Sequence, residues 1–102
     1  MEPVANVRNL NTDYVDSTGT LNSGKAAKVV YIIVTATSAS AVLLLTDTAS
    51  GNPKKLNLRV ADANSTQVFD FSNSPIVFPN GVRVETLTNA VATVVYTTSG
   101  GL

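Results

Sequence analysis

Few residues in this chain can do acid–base, nucleophilic or metal chemistry, and those few are scattered. There is no histidine and no cysteine among its 102 residues. That excludes Ser-His and Cys-His arrangements, zinc sites built from those donors, and disulfides. Seven carboxylates remain: Glu2, Asp13, Asp16, Asp47, Asp62, Asp70 and Glu85. A glycosidase needs two such groups facing each other across a cleft. Here Asp47 and Asp62, with Asn64, fall in turn-rich stretches, while Asp70 and Glu85 lie on the polar sides of strand-like patterns. All of them read as solvated. Asn11, Asp13 and Asp16 could offer oxygens to a hard cation such as calcium, but they lack the spacing of a known loop. Tyr14, Tyr31 and Tyr96 could make a sugar-stacking platform, although Tyr31 and Tyr96 fall in strand patterns and read first as core or interface. The expectation is a protein that is not an enzyme, with no catalytic, cofactor-binding or metal-ligating residue and no cofactor.

The glycines and lysines support no other chemistry. Gly51, Gly81 and Gly100-Gly101 read as turn and tail glycines rather than a phosphate cradle. Lys54-Lys55 and the Lys25/Lys28 pair lack interleaved aromatics, so they read as guards of strand edges rather than a nucleic-acid patch. Net charge is zero, from seven basic and seven acidic residues. A neutral domain has no field to gather nucleic acid or anionic lipid, and near-zero charge favours self-association. Apolar residues make up 44% of the chain and charged residues 14%, against about 25% charged in an average soluble domain. Thr, Ser, Asn and Ala take the place of the missing charge, as in a protein whose surface is partly covered by neighbours. The opening MEPVANVRNL has no basic segment followed by an apolar one, so no signal peptide is expected.

These residues must be positioned by strands. The reading divides the chain into an extended N-terminal arm or loop (1–24), a β-sandwich domain (25–98) and a frayed tail (99–102). Within the domain, KVVYIIVTA, AVLLLTDT, KKLNLRVA, TQVFDF, IVF, VRVETL and VATVVYTT are rich in β-branched and aromatic residues and are separated by turn signals. In KKLNLRVA, Leu56, Leu58 and Val60 alternate with Lys55, Asn57 and Arg59, the pattern of a half-buried strand. Pro75 and Pro79 bracket Ile76-Val77-Phe78 and confine it to an edge. The fold class expected is all-β: a small antiparallel β-sandwich, jelly-roll-like, of six or seven strands.

Val29 to Thr46 reads VVYIIVTATSASAVLLLT, eighteen residues without a charge. A membrane-spanning helix needs about twenty predominantly apolar residues. The centre of this run, TATSASA, is small and polar where a bilayer is driest, and its flanks are β-branched. Two strands joined by a turn, a hairpin, fit better than a span. Both strands look apolar on both faces, and a sandwich buries only one face of each sheet. The surplus points to a cover, either the N-terminal arm or a neighbouring subunit. The candidate interface residues are Tyr31, Ile32, Ile33, Val34, Val42, Leu43, Leu44 and Leu45 of the run, with Val7, Leu10 and Tyr14 of the arm.

From Gly24 to Thr97 the chain resembles small virion structural proteins of tailed phages, especially marine and cyanobacterial ones. The resemblance rests on NVRNLNTDYVDSTGTLNSG followed by KVVYIIVTATSASAVLLLTDTASG, then KLNLRV, FDF, IVFPNGVRVET and VATVVYT. It implies a head-decorating, cement-like or accessory head/tail protein: a compact β-sandwich, often trimeric, with no catalytic residues. Its partners would be further copies of itself and a major capsid or other virion protein, with no nucleic acid and no membrane. It would be assembled in the bacterial cytoplasm and located in the virion. The other function weighed is a carbohydrate- or receptor-binding sandwich module of a fibre, knob or tail appendage.

Overall fold

The computed structural model describes residues 10–98. Nine strands run through them: β1 (Leu10–Val15), β2 (Gly19–Thr20), β3 (Ala27–Ala36), β4 (Ala41–Asp47), β5 (Lys54–Val60), β6 (Thr66–Asp70), β7 (Ile76–Phe78), β8 (Val82–Thr88) and β9 (Ala90–Thr98). A single 3-10 turn, Asn22–Gly24, lies between β2 and β3. Each strand expected between residues 25 and 98 forms. The segment from Leu10 onward, expected as an arm or loop, instead supplies β1 and β2, which accounts for the extra strands. Its earlier part, Val7 included, lies outside the described residues, as does the tail.

The strands make two antiparallel sheets. Sheet I has the order β1-β9-β3-β6, with β7 also pairing with β3, and sheet II has the order β2-β8-β4-β5. With β7 set aside, the pairing is nested: first with last (β1–β9), second with seventh (β2–β8), third with sixth (β3–β6), and fourth with fifth (β4–β5). A long antiparallel ribbon folded over on itself has this pairing, which is the jelly-roll form of the β-sandwich. β6 and β7 lie in line along the same side of β3. They are separated by 71–75, where the Phe71 amide still donates to Val30 O at 2.7 Å.

The charge-free run is therefore not a hairpin. β3 belongs to sheet I and β4 to sheet II, joined by an arch over 37–40. Both are interior strands with hydrogen-bonded neighbours on both edges, so each has better partners than the other. Asn89 staples the arch. Its carbonyl accepts from the amides of Thr37 and Ser38, and its side-chain amide donates to Ala39 O at 3.1 Å. Asn89 adopts a left-handed conformation (φ 53°), which asparagine tolerates better than most residues.

Placing β3 and β4 in facing sheets explains most of their apolarity. Val29, Ile32, Val34, Leu43 and Leu45 all join one core with Val60, Phe78, Val82, Val84, Val94 and Tyr96. The strict alternation expected through β3, with Val29, Tyr31 and Ile33 on one side, is broken by a bulge. The register against β9 slips between Val29 and Tyr31, so Val29 and Ile32 both reach the core although they are three positions apart. A one-residue insertion of this kind exchanges the faces of everything beyond it.

Candidate functional site: the outer face of sheet I

The cross-strand registers fix which side chains share the face of sheet I that points away from sheet II. One row across the sheet runs Leu10, Thr97, Lys28, Val77, and the next runs Thr12, Val95, Tyr31, Asp70. A third runs Tyr14, Thr93, Ile33, Val68, and the last Val91, Thr35, Thr66. Directly opposed residues in an antiparallel ladder lie on the same face, with side chains close enough to touch. The rows therefore share one face, on which Thr97 is wholly covered.

Eight of the fifteen positions in these rows are apolar, more than a solvent face normally carries. Among the described residues, the large hydrophobics that stand out into solvent are Tyr14 (66% exposed), Val68 (58%), Val77 (48%) and Leu10 (45%), and all four are on this face. Tyr31, Ile33, Val91 and Val95 are half-buried between them. Threonines supply most of the polarity, and Thr35 Oγ1 and Thr66 Oγ1 pair across the strands at 3.0 Å. Scattered exposed hydrophobics are ordinary, whereas a contiguous sheet of them marks a contact surface.

Sheet II presents the opposite character. Val42 and Leu44 face outward there, and their cross-strand neighbours are Arg59, Thr88, Asn57 and Thr86. Arg83 Nη1 donates to Glu85 Oε1 at 3.2 Å, and Lys54 and Lys55 are exposed on the edge strand β5. The guard role expected of that lysine pair suits this position.

The residues expected to form an interface are thus divided. Leu10, Tyr14, Tyr31 and Ile33 lie together on the outer face of sheet I. Val42 and Leu44 lie on the outer side of sheet II, with Leu44 almost covered. Ile32, Val34, Leu43 and Leu45 are in the core with at most 1% of their surface exposed, so no partner can touch them in the folded domain. Val7 lies outside the described residues. Val68, Val77 and Val95 belong to the face and were not singled out from sequence. The alternation in TQVFDF, with Val68 opposite Phe69 and Phe71, is the signal that pointed to Val68.

Two carboxylates expected to be solvated are tied into the polypeptide framework. Asp47, 2% exposed at the end of β4, accepts from the Asn80 amide at 3.0 Å and the Asn80 side chain at 2.8 Å, and from the Ala49 amide at 3.2 Å. Burial alone would push its carboxyl up. The Asn80 side chain and the amides of Asn80, Ala49 and Gly81 outweigh that and hold it below its ordinary value. Thr48 adds a bond from Oγ1 to Asn80 O at 2.6 Å and one from its amide to Gly81 O at 3.1 Å. The result ties the β4–β5 turn to the β7–β8 turn.

The other carboxylate is Asp13. Its Oδ2 accepts from the Tyr96 hydroxyl at 3.0 Å and from the Asn22 amide at 3.4 Å. It is therefore engaged in fastening β1 to β9 and to the 3-10 turn. Asn11 and Asp16, named with it as cation donors, make no described bond to it. Among the described residues, no three of Asp, Glu, His and Cys gather as a metal site would require, and no helix is long and apolar enough to cross a membrane. No protein family, curated protein or solved structure compared with this chain matches it.

Proposed function

We propose that this chain is a non-enzymatic structural subunit of a virion, of the capsid-decorating or cement-like kind that its sequence resembles, working through the outer face of sheet I. One observation carries the reading: the exposed large hydrophobics of the described chain are collected on a single sheet face. Leaving a face of this kind in water forgoes about 25 cal/mol for every Å² of apolar surface that a partner could cover. The jelly-roll topology is compatible, since this architecture recurs in viral capsid domains, although fold analogy alone never assigns a function. The polar ties of Asn89 across the 37–40 arch and of Asp47 between the β4–β5 and β7–β8 turns suit a rigid building block.

Tyr14 favours one second reading. An aromatic ring two-thirds exposed on a threonine-rich face could stack on a sugar ring, and jelly rolls also occur among lectins. Mass spectrometry and electron cryo-microscopy of purified particles from cells producing this protein test the first reading. It expects the chain at a regular copy number on the particle surface. Its absence from purified particles, together with a positive glycan-array signal abolished by Tyr14→Ala, would transfer the assignment to the second.

A further inference from the structure

We infer that the outer face of sheet I is self-complementary and pairs with a second copy of this chain about a two-fold axis lying in the face. The inference rests on the reading of the chain as an assembly subunit and names the first partner of that same surface.

Three features of the face select a second copy. The first is charge. Its strand positions carry one cation, Lys28, and one anion, Asp70, in adjacent rows on adjacent strands. A two-fold mate presents the same pair in exchanged order. An axis passing between them therefore sets Lys28 of each copy against Asp70 of the other. The second is hydrogen-bonding type. The remaining polar side chains on the face, Thr12, Thr35, Thr66 and Thr93 among them, carry hydroxyls that both donate and accept. Such a face can meet itself without forcing donor against donor. Sheet II lacks this property, because Lys54, Arg59 and Arg83 outnumber Glu85 and two copies would repel.

The third feature is area. Four strands about 4.8 Å apart, with about 3.3 Å of rise per residue, make a face of roughly 19 Å by roughly 26 Å, so about 500 Å² per copy. Two copies together bury on the order of 1,000 Å², the lower bound of a specific interface. Sheets stacked in this way pack about 10 Å apart with interdigitating side chains. Tyr31, Ile33 and Val95 then sit at the centre, with Leu10 and Val77 nearer the rim. The association is expected to be moderate in strength and to build a four-layer unit from two sandwiches.

The test is sedimentation velocity of the full chain over a concentration series, with circular dichroism and thermal melting on every variant. The intact chain is expected to be a dimer at high micromolar concentration. Val68→Lys is expected to be monomeric with a cooperative melt, because Val68 is exposed in the single sandwich. Should that variant fail to fold, Tyr14→Ser serves in its place. Lys28→Glu alone and Asp70→Lys alone should each weaken the dimer several-fold, and the double exchange should restore it. A monomer at high concentration overturns the inference. A dimer or trimer indifferent to all these changes also overturns it and places the contact elsewhere, while leaving the structural-subunit reading to stand or fall on the chain's presence in purified particles.

Discussion

Tyr96 and Asp13, 83 positions apart in the chain, are joined by a 3.0 Å hydrogen bond from the phenolic hydroxyl to Oδ2. Tyr96 stands on β9 facing the core, opposite Asn11, and its hydroxyl reaches diagonally to Asp13 on β1. The carboxylate also receives the Asn22 amide, so one acid ties the edge strand, the last strand and the turn between β2 and β3.

Removing the hydroxyl with Tyr96→Phe should cost about 1 kcal/mol, the usual net worth of one hydrogen bond. Asp13→Ala should cost more, about 1–3 kcal/mol, because it leaves a buried hydroxyl without its acceptor. A double-mutant cycle by chemical denaturation measures the coupling, and additive effects would show that the bond contributes nothing.

The same pair contributes to the pH dependence of stability on the alkaline side. Burial, then the hydrogen bond to Asp13 and its charge, push the Tyr96 hydroxyl up from 10.0 to about 12. The unfolded chain loses this proton first, so the stabilisation is complete below pH 10 and is lost as pH rises toward about 12. Denaturation curves across that range should show stability falling in the intact chain. In Tyr96→Phe that part of the decline should be missing, and an unchanged slope would contradict the assignment.

How much of this could be read from the chain depends on which sheet face each strand shows to solvent. KKLNLRV announces itself because sheet II is polar outside, so Leu56, Leu58 and Val60 alternate cleanly with the polar Lys55, Asn57 and Arg59. β1 is silent for the opposite reason. Its apolar Leu10 and Tyr14 point outward onto the contact face, while Asn11 and Asp13 point inward, so no core-facing stripe forms. The bulge at Val30 reverses the alternation midway through β3, which made its two faces look equally apolar. The polar run at 37–40 signals a turn, but whether a turn returns into the same sheet or crosses to the other depends on partners far along the chain. Asp47 looked solvated because its anchor, Asn80, is 33 positions away.

Asp47 contributes to stability against acid. Its carboxyl is held below the ordinary 3.8, so its contribution is present above that value and is lost as pH falls through the depressed one. Asp47→Asn should melt at a lower temperature at neutral pH, since an amide would point hydrogens at the Asn80 and Ala49 donors. The gap between variant and intact chain should close on acidification below 3.8. A gap that persists at the acid end would mean the loss is steric rather than electrostatic.

Gly81, beside this latch, cannot carry a side chain. Its φ is +137°, and an added Cβ would lie 2.8 Å from Gly24 O and 2.9 Å from Thr48 Oγ1. Backbone strain of this kind costs about 1–3 kcal/mol before any clash is counted. Gly51, also left-handed at +84°, has nothing within 4 Å of the added atom. Gly81→Ala should therefore destabilise clearly more than Gly51→Ala in parallel melts, and equal losses would count against the close packing of the Gly24, Thr48 and Gly81 segments.

Ile32 and Ile33 are neighbours in sequence with opposite roles, and substituting each in turn separates folding from assembly. Ile32 is wholly buried between the sheets, where truncation to Ala costs about 2–5 kcal/mol through lost burial and the cavity left behind. Ile33 faces outward in the row with Tyr14, Thr93 and Val68, so Ile33→Ala removes a few methyl groups from a half-covered site and should cost the isolated domain under about 1 kcal/mol. Ile32→Ala should therefore lower the melting temperature sharply and weaken self-association only as far as the fold is lost. Ile33→Ala should leave the melt of the diluted protein nearly intact and weaken self-association at concentrations where the intact chain is paired. Melting curves and sedimentation on the same two samples decide it. The reverse outcome would mean that the bulge at Val30 does not set the register of β3, and with it would go the assignment of the outer face.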